Sequence, residues 1–127
     1  FQMSSTSAAF QNLFIYWANT NASGLSNYYR LIIEYQNNKC ELQKNGGMLA
    51  TTTFSRRPLS TLLTCTIDYR KASGTTMTAD IIDTTTSLSI LNSSLSSTDT
   101  SFAGTGFAYY VKAAPGDPIV ISDMKKS

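Results

Sequence analysis

The segment MSSTSAAFQNLFIYWA, residues 3–18, decides the predicted fold because its large apolar residues recur at helical spacing. These residues are Met3, Phe10, Leu13, Phe14 and Trp17. They lie three, four and seven positions apart, which places them on one stripe of a helix with 3.6 residues per turn. The sequence therefore predicts an N-terminal helix whose core-facing residues are Phe10, Leu13, Phe14 and Trp17.

The rest of the chain reads as short, Thr-rich strands. Residues 28–36 alternate in polarity, and Asn37-Asn38 offers a tight turn into a partner strand at 39–43. Further strands are expected at residues 59–69, 75–82 and 84–91, a polar loop at 92–101, and a closing hairpin from 107–111 and 119–121. A helix stripe and a sheet face must both be covered, so we expect an α+β fold with the N-terminal helix packed on an antiparallel β-sheet.

Length and composition favour one domain over residues 1–127, with the helix in 1–23 and the β-rich part in 24–127. Only 14% of the residues are charged, below the usual quarter, so hydroxyl and amide groups provide much of the polar surface. Such surfaces are common on exported β proteins. The net charge of +2 is too small to indicate a nucleic-acid partner through the overall field.

Cys40 and Cys65 are the only cysteines, and the chain has no histidine. Two cysteines without histidine cannot form the usual zinc sites, and they lack the base of a Cys-His nucleophile. We expect a disulfide between them, which would stabilise the fold by about 3 kcal/mol and indicate an oxidising compartment. The alternative is two buried free thiols. Asn21 and Asn92 fit the N-glycosylation pattern, which chance explains in a chain so rich in Asn and Ser.

The candidate catalytic patterns are weak, so we expect no enzyme, no cofactor and no metal. Ser122 and Lys125 have Ser-x-x-Lys spacing but lie in a polar tail that cannot exclude water. Asp80 and Asp83 lie beside a predicted turn, where surface placement is the ordinary outcome. Gly104-Thr105-Gly106 lacks the third glycine of a dinucleotide-binding fingerprint.

Two parts of the chain resemble a known family. The first runs from residues 8–13 through Trp17-Ala18 to the strand at 29–33, and joins the helix to the first strand. The second comprises residues 100–108 and 118–122, with a Phe, a Gly-containing turn and a short final strand. Both are similar to minor type IV pilins and to minor pseudopilins of type II secretion.

The resemblance implies a pilin-like headpiece whose upstream membrane helix has been removed. The function would be that of a structural subunit in a type IV pilus or a type II secretion pseudopilus. Its partners would be other pilin or pseudopilin subunits and the inner membrane, reached through the missing helix. The headpiece would be periplasmic before assembly and part of an extracellular filament afterwards.

A second hypothesis is an exported binding module that presents loops on a β-sheet to DNA, a glycan or a surface protein. Nucleic-acid contact needs cations for phosphates and rings for stacking on bases. The candidate contact residues are Arg56, Arg57, Tyr109, Lys112, Lys125 and Lys126. An ordinary solvated strand face is the alternative interpretation of these residues. A secreted β-sandwich or lipocalin-like carrier ranks third.

Overall fold

A computed structural model describes residues 2–3, 11–19, 27–55, 62–69, 77–99, 102, 106–113 and 119–120. These residues form β-strands and one short 3-10 helix, Tyr35–Asn37, and no α-helix occurs among them. The strands are β1 (Gln2–Met3), β2 (Gln11–Asn19), β3 (Tyr29–Glu34), β4 (Lys39–Lys44), β5 (Gly47–Thr53), β6 (Leu63–Tyr69), β7 (Met77–Asp83), β8 (Leu88–Ser89), β9 (Leu95–Ser97), β10 (Gly106–Ala113) and β11 (Ile119–Val120). The predicted α+β class is therefore wrong, and the architecture is antiparallel β-sheet.

The predicted N-terminal helix is replaced over residues 11–19 by strand β2. This strand contains consecutive aromatic and β-branched residues, which favour extended structure. Leu13, Ile15 and Trp17 face the core, while Phe14 on the opposite face is half-buried. The period is therefore two, and the helical stripe that grouped Phe14 with Leu13 and Trp17 does not exist. Phe10 lies outside the described residues.

The larger sheet has five strands in the order β10-β2-β3-β4-β5, all antiparallel. The predicted hairpin in residues 28–43 is confirmed as β3 and β4, with Asn38 in the left-handed region at φ 50°. Strand β5 was not predicted. It follows a two-residue turn, Asn45-Gly46, in which both residues have positive φ. Asn-Gly is the sequence most typical of such a turn, because it tolerates left-handed backbone at both positions.

The smaller sheet pairs β6 with β7, and the other edge of β7 pairs with both β8 and β9. Strand β9 lies in a stretch that was expected to be a polar loop. Near the end of the chain, β10 pairs with β2 and β11 pairs with β1. The expected closing hairpin between residues 107–111 and 119–121 is therefore wrong, because both strands return to the N-terminal part of the chain.

A seam of backbone hydrogen bonds joins the two sheets along one side. Phe54 pairs with Leu91 as an isolated bridge, and the N–H of Asn92 donates to the carbonyl oxygen of Thr53 at 2.9 Å. The N–H of Ser55 donates to the carbonyl oxygen of Ile90 at 2.6 Å. These bonds connect the end of β5 to the segment between β8 and β9.

One hydrophobic core lies between the sheets and takes residues from both. The larger sheet contributes Leu13, Ile15, Trp17, Tyr29, Leu31, Ile33, Cys40 and Leu42, and the smaller sheet contributes Leu63, Met77, Ala79, Ile81 and Leu95. On β6, Leu63 is buried and Cys65 and Ile67 pack against this core, because they alternate with Thr64 and Thr66 along the strand. The five-stranded and four-stranded sheets thus form a β-sandwich in which each has one inner and one outer face, while β1 and β11 form a separate two-stranded sheet.

Candidate ligand-binding face

An arginine lies on the outer face of the larger sheet, between residues of the two neighbouring strands. Antiparallel register places Arg30 of β3 directly between Tyr16 of β2 and Gln43 of β4. Because Tyr29 and Leu31 point into the core, the strand period places Arg30 on the outside. We call the group formed by Phe14, Tyr16, Tyr28, Arg30 and Gln43 the arginine patch.

The guanidinium of Arg30 is positioned by two neighbours in its row. Its Nε donates a hydrogen bond to Oε1 of Gln43 at 2.7 Å, and its Nη1 donates a longer one to the hydroxyl of Tyr16 at 3.4 Å. Gln43 is itself buried and donates from Nε2 to Oε2 of Glu41 at 2.7 Å. A planar guanidinium has five N–H donors, so most of those on Arg30 stay unused by the described residues.

Three aromatic rings surround the same guanidinium. Its central carbon lies 5.8 Å from the ring centre of Phe14 and 5.9 Å from the centres of Tyr16 and Tyr28. Tyr16 and Tyr28 also contact each other edge to face, with centroids 5.2 Å apart. Each ring within about 6 Å attracts the cation through its quadrupole.

The nearest carboxylate on this face is engaged elsewhere. Glu41 forms an ion pair with Lys39, and this hydrogen bond lowers the pKa of Glu41 and raises the pKa of Lys39. Among the described residues, no carboxylate lies within ion-pair distance of Arg30. Arg30 is half-buried, and its charge acts on Glu41 at longer range, as one of the causes that lower the pKa of that carboxyl group.

The patch is partly covered and partly open. Tyr16 and Gln43 are 7% exposed and Ile32 is 5% exposed, although all three lie on the outer face. Phe14, Tyr28 and Arg30 keep intermediate exposure. The open part therefore presents two ring surfaces beside a cation, a combination that suits a ligand with an apolar face and a negative group.

A second polar cluster lies at the end of the core and is internally satisfied. The hydroxyl of Tyr29 donates to Oδ1 of Asp99 at 2.7 Å, and Nζ of Lys44 pairs with Oδ2 at 2.7 Å. The Asp99 hydrogen bond raises the pKa of Lys44. Phe102 packs on Tyr29, with 5.1 Å between ring centres. The cluster anchors the segment after β9 over the core, and its charges balance each other.

The two cysteines are free thiols in this structure, with Cys40 buried and Cys65 partly buried. The predicted disulfide is therefore not formed here. Burial raises the pKa of both thiols. Among the residues that the structure describes, no group of three or more potential ligand side chains could hold a metal ion, and no helix is long and apolar enough to cross a membrane.

The predicted contact residues are not brought together by the described part of the chain. Tyr109 and Lys112 lie on β10, where the register places them opposite Ile15 and Asn12. The remaining predicted contacts lie outside the described residues: Arg56, Arg57, Lys125 and Lys126.

Sequence reasoning missed Arg30 as the centre of a site. Its available signal was an arginine inside an aromatic and aliphatic run, Tyr28 to Ile33, where a charge is unusual. Finding the surrounding rings also requires the register between β2 and β3, which the helix prediction excluded.

Comparison with known proteins found no similar family or structure: no family model, curated protein or solved structure matches this chain.

Proposed function

We propose that the protein is a binding module that holds an acidic carbohydrate against the arginine patch. The observation that carries the proposal is the guanidinium of Arg30, which three aromatic rings surround and which forms no direct ion pair with a described carboxylate. A sugar carboxylate can accept charge-assisted hydrogen bonds from the unused N–H groups. The apolar face of a sugar ring can pack on Phe14 or Tyr28, as apolar surfaces do on aromatic rings.

A carbohydrate fits this patch better than DNA does. Binding to nucleic acid depends on several cations that neutralise successive phosphates. The patch contains one arginine, and the nearby Lys39 is already paired with Glu41. The whole chain has a net charge of only +2. DNA binding is therefore the outcome that the experiment below is designed to separate from glycan binding.

The pilus or pseudopilus subunit expected from the resemblance also stays a proposal. Its main sequence support was an N-terminal helix followed by strands. In the described residues that region contains β2, so the fold adds no support to a filament role. Export from the cytoplasm is compatible with either proposal and is tested by neither.

The experiment is a binding survey with matched variants. Immobilised oligosaccharides ending in sialic or uronic acid are compared with their neutral counterparts and with a single-stranded oligonucleotide at physiological salt. The acidic sugars should bind, and Arg30→Met should weaken that binding about tenfold or more, the effect of losing one charge-assisted hydrogen bond. Arg30→Lys should lose part of the affinity, because an ammonium lacks the planar fork.

The matched control is Lys39→Met, which removes a cation from the same face outside the arginine patch. Its side chain is 39% exposed, so the protein should tolerate the change and keep its affinity. Equal retention of acidic and neutral sugars, or equal loss in both variants, would contradict a site at Arg30. Retention of the oligonucleotide alone would indicate that the ligand is a nucleic acid and would contradict the carbohydrate proposal.

A further inference from the structure

The two free thiols lie in different sheets and face one core. Cys40 is the second residue of β4, is fully buried and belongs to the core cluster. Cys65 is the third residue of β6 and packs against that cluster from the other sheet. Their register partners, Ile33 and Ile81, are both fully buried. Each sheet therefore contributes one sulfur atom to the same interior.

The seam between the sheets links the strands that carry the two cysteines. Phe54 donates its N–H to the carbonyl oxygen of Asn38 at 2.9 Å, two residues before Cys40. The next residue, Ser55, donates to Ile90, and Ile90 donates to Ile81 at 2.9 Å. Ile81 is the direct partner of Cys65. A short path of strand-to-strand bonds thus leads from β4 around the edge to β6.

We propose that Cys40 and Cys65 form an inter-sheet redox pair, free when reduced and joined as a disulfide after reaction with a small-molecule disulfide such as glutathione disulfide. One thiolate attacks glutathione disulfide, forms a mixed disulfide and releases one glutathione thiolate. The second cysteine thiolate then attacks the protein sulfur of that mixed disulfide and releases the second glutathione thiolate. The two cysteines lose two protons and two electrons, and one glutathione disulfide becomes two reduced glutathiones.

Burial and electrostatics set the conditions for the reaction. Burial is the main cause of the raised pKa of Cys40, and the charge that Cys65 would carry adds to it. Burial also raises the pKa of Cys65, which leaves little reactive thiolate in the folded protein. We therefore expect slow oxidation of the native sandwich and efficient oxidation while the sheets assemble.

The disulfide would link the two sheets covalently. Apart from the seam and the bonds from Tyr29 and Lys44 to Asp99, the sheets are held together by apolar packing, because each described strand pairs within its own sheet. Sandwich folds accommodate a disulfide between facing sheets. Closing the loop from Cys40 to Cys65 should raise the melting temperature by about 10 °C, from the loop-closure entropy and the usual slope for a domain of this size.

The experiment is oxidative refolding of the full chain from denaturant in a mixture of reduced and oxidised glutathione. Intact mass, thiol titration in denaturant and melting temperature are then measured with and without reductant. We expect an oxidised monomer without titratable thiols, two hydrogen atoms lighter than the reduced protein and melting about 10 °C higher. The reduced native protein should react slowly with the same mixture.

Cys65→Ala is the matched control, because it leaves Cys40 in place and removes its partner. Its melting temperature should not depend on reductant. If the variant does not fold, the comparison of oxidised and reduced wild-type protein gives the same test. Two titratable thiols after refolding, glutathione retained on both cysteines, or disulfide-linked dimers would each overturn the inter-sheet pair.

Discussion

The outer faces of the two sheets differ in burial, although both inner faces share one core. On the larger sheet, Tyr16 and Ile32 are nearly buried and Arg30 is half-buried. On the smaller sheet, Thr64, Thr66 and Thr78 are exposed. An antiparallel sheet in a sandwich needs only one buried face, so the smaller sheet shows the ordinary solvent-facing pattern. The larger sheet therefore also buries apolar and aromatic side chains on its outer face, which the shared core does not require.

The largest expected effect is a loss of stability, measured by replacing one isoleucine on the outer face of each sheet. Ile32 and Ile82 each occupy an outer face, and their flanking partners are Phe14 and Glu41 in one sheet and Thr64 and Ser89 in the other.

Ile32→Ala should lower the free energy of unfolding by about 3 kcal/mol, because Ile32 is 5% exposed and its loss leaves a cavity. Ile82→Ala, at a half-buried site, should cost about 1 kcal/mol. Urea denaturation of both variants measures the difference. Equal losses would show that the two outer faces are equally covered.

The sequence predicted the hairpin of β3 and β4 well because its signals are local. Tyr29, Leu31, Ile33 and Tyr35 recur at every second position, and Asn38 tolerates the left-handed backbone of the turn. The helix prediction failed for a related reason. A run of consecutive apolar residues such as 13–17 fits both a helix and a strand with two covered faces, and periodicity alone does not separate them. Leu13, Ile15 and Trp17 alternate as in a strand, but Leu13, Phe14 and Trp17 fit a helical stripe equally well.

The candidate site was beyond sequence reasoning because it depends on non-local pairing. The arginine patch exists only when β2 lies beside β3 in the register that places Tyr16 opposite Arg30. No turn signal fixes that register. The predicted contact residues, by contrast, share only residue type, and the two of them that the structure describes, Tyr109 and Lys112, lie on β10. Residue type alone therefore suggests candidate residues, whereas the strand register is needed to show which side chains form one group.

An intermediate effect concerns the core that the two faces enclose, and it appears at alkaline pH. Burial raises the pKa of Cys40 and Cys65 above the ordinary value of 9.0, so the reduced folded protein holds both thiols neutral. The unfolded chain releases these protons near pH 9, whereas the folded chain does not until a much higher pH. Stability from this source is therefore complete below pH 9 and is lost as the pH rises above it.

At pH 10 each thiol should account for about 1 kcal/mol of lost unfolding free energy. Urea titrations of the reduced protein at pH 8 and pH 10 measure the loss, and Cys65→Ala should show a smaller one. A pH-independent stability over this interval would mean that the thiols are solvated. Lys39 and Lys44, whose pKa values are raised by Glu41 and Asp99, act in the same direction only above pH 10.5, which keeps them out of this interval.

The smallest effect tests the solvent-facing side of the comparison. Thr66 is exposed on β6 and lies opposite Asp80 of β7. Thr66→Lys should change the free energy of unfolding by less than about 1 kcal/mol, because a long cation on a solvated face loses little packing and gains a weak attraction to the opposite carboxylate.

The same variant should bind the acidic oligosaccharides as the wild type does, since the new cation is on the opposite side of the sandwich from Arg30. Thermal melting and the binding survey provide both measurements. A larger loss of stability would show that the smaller sheet is also covered, and tighter acidic-sugar binding would show that charge alone, without the aromatic rings, is sufficient. Either outcome would remove the distinction between the two faces on which a site at Arg30 depends.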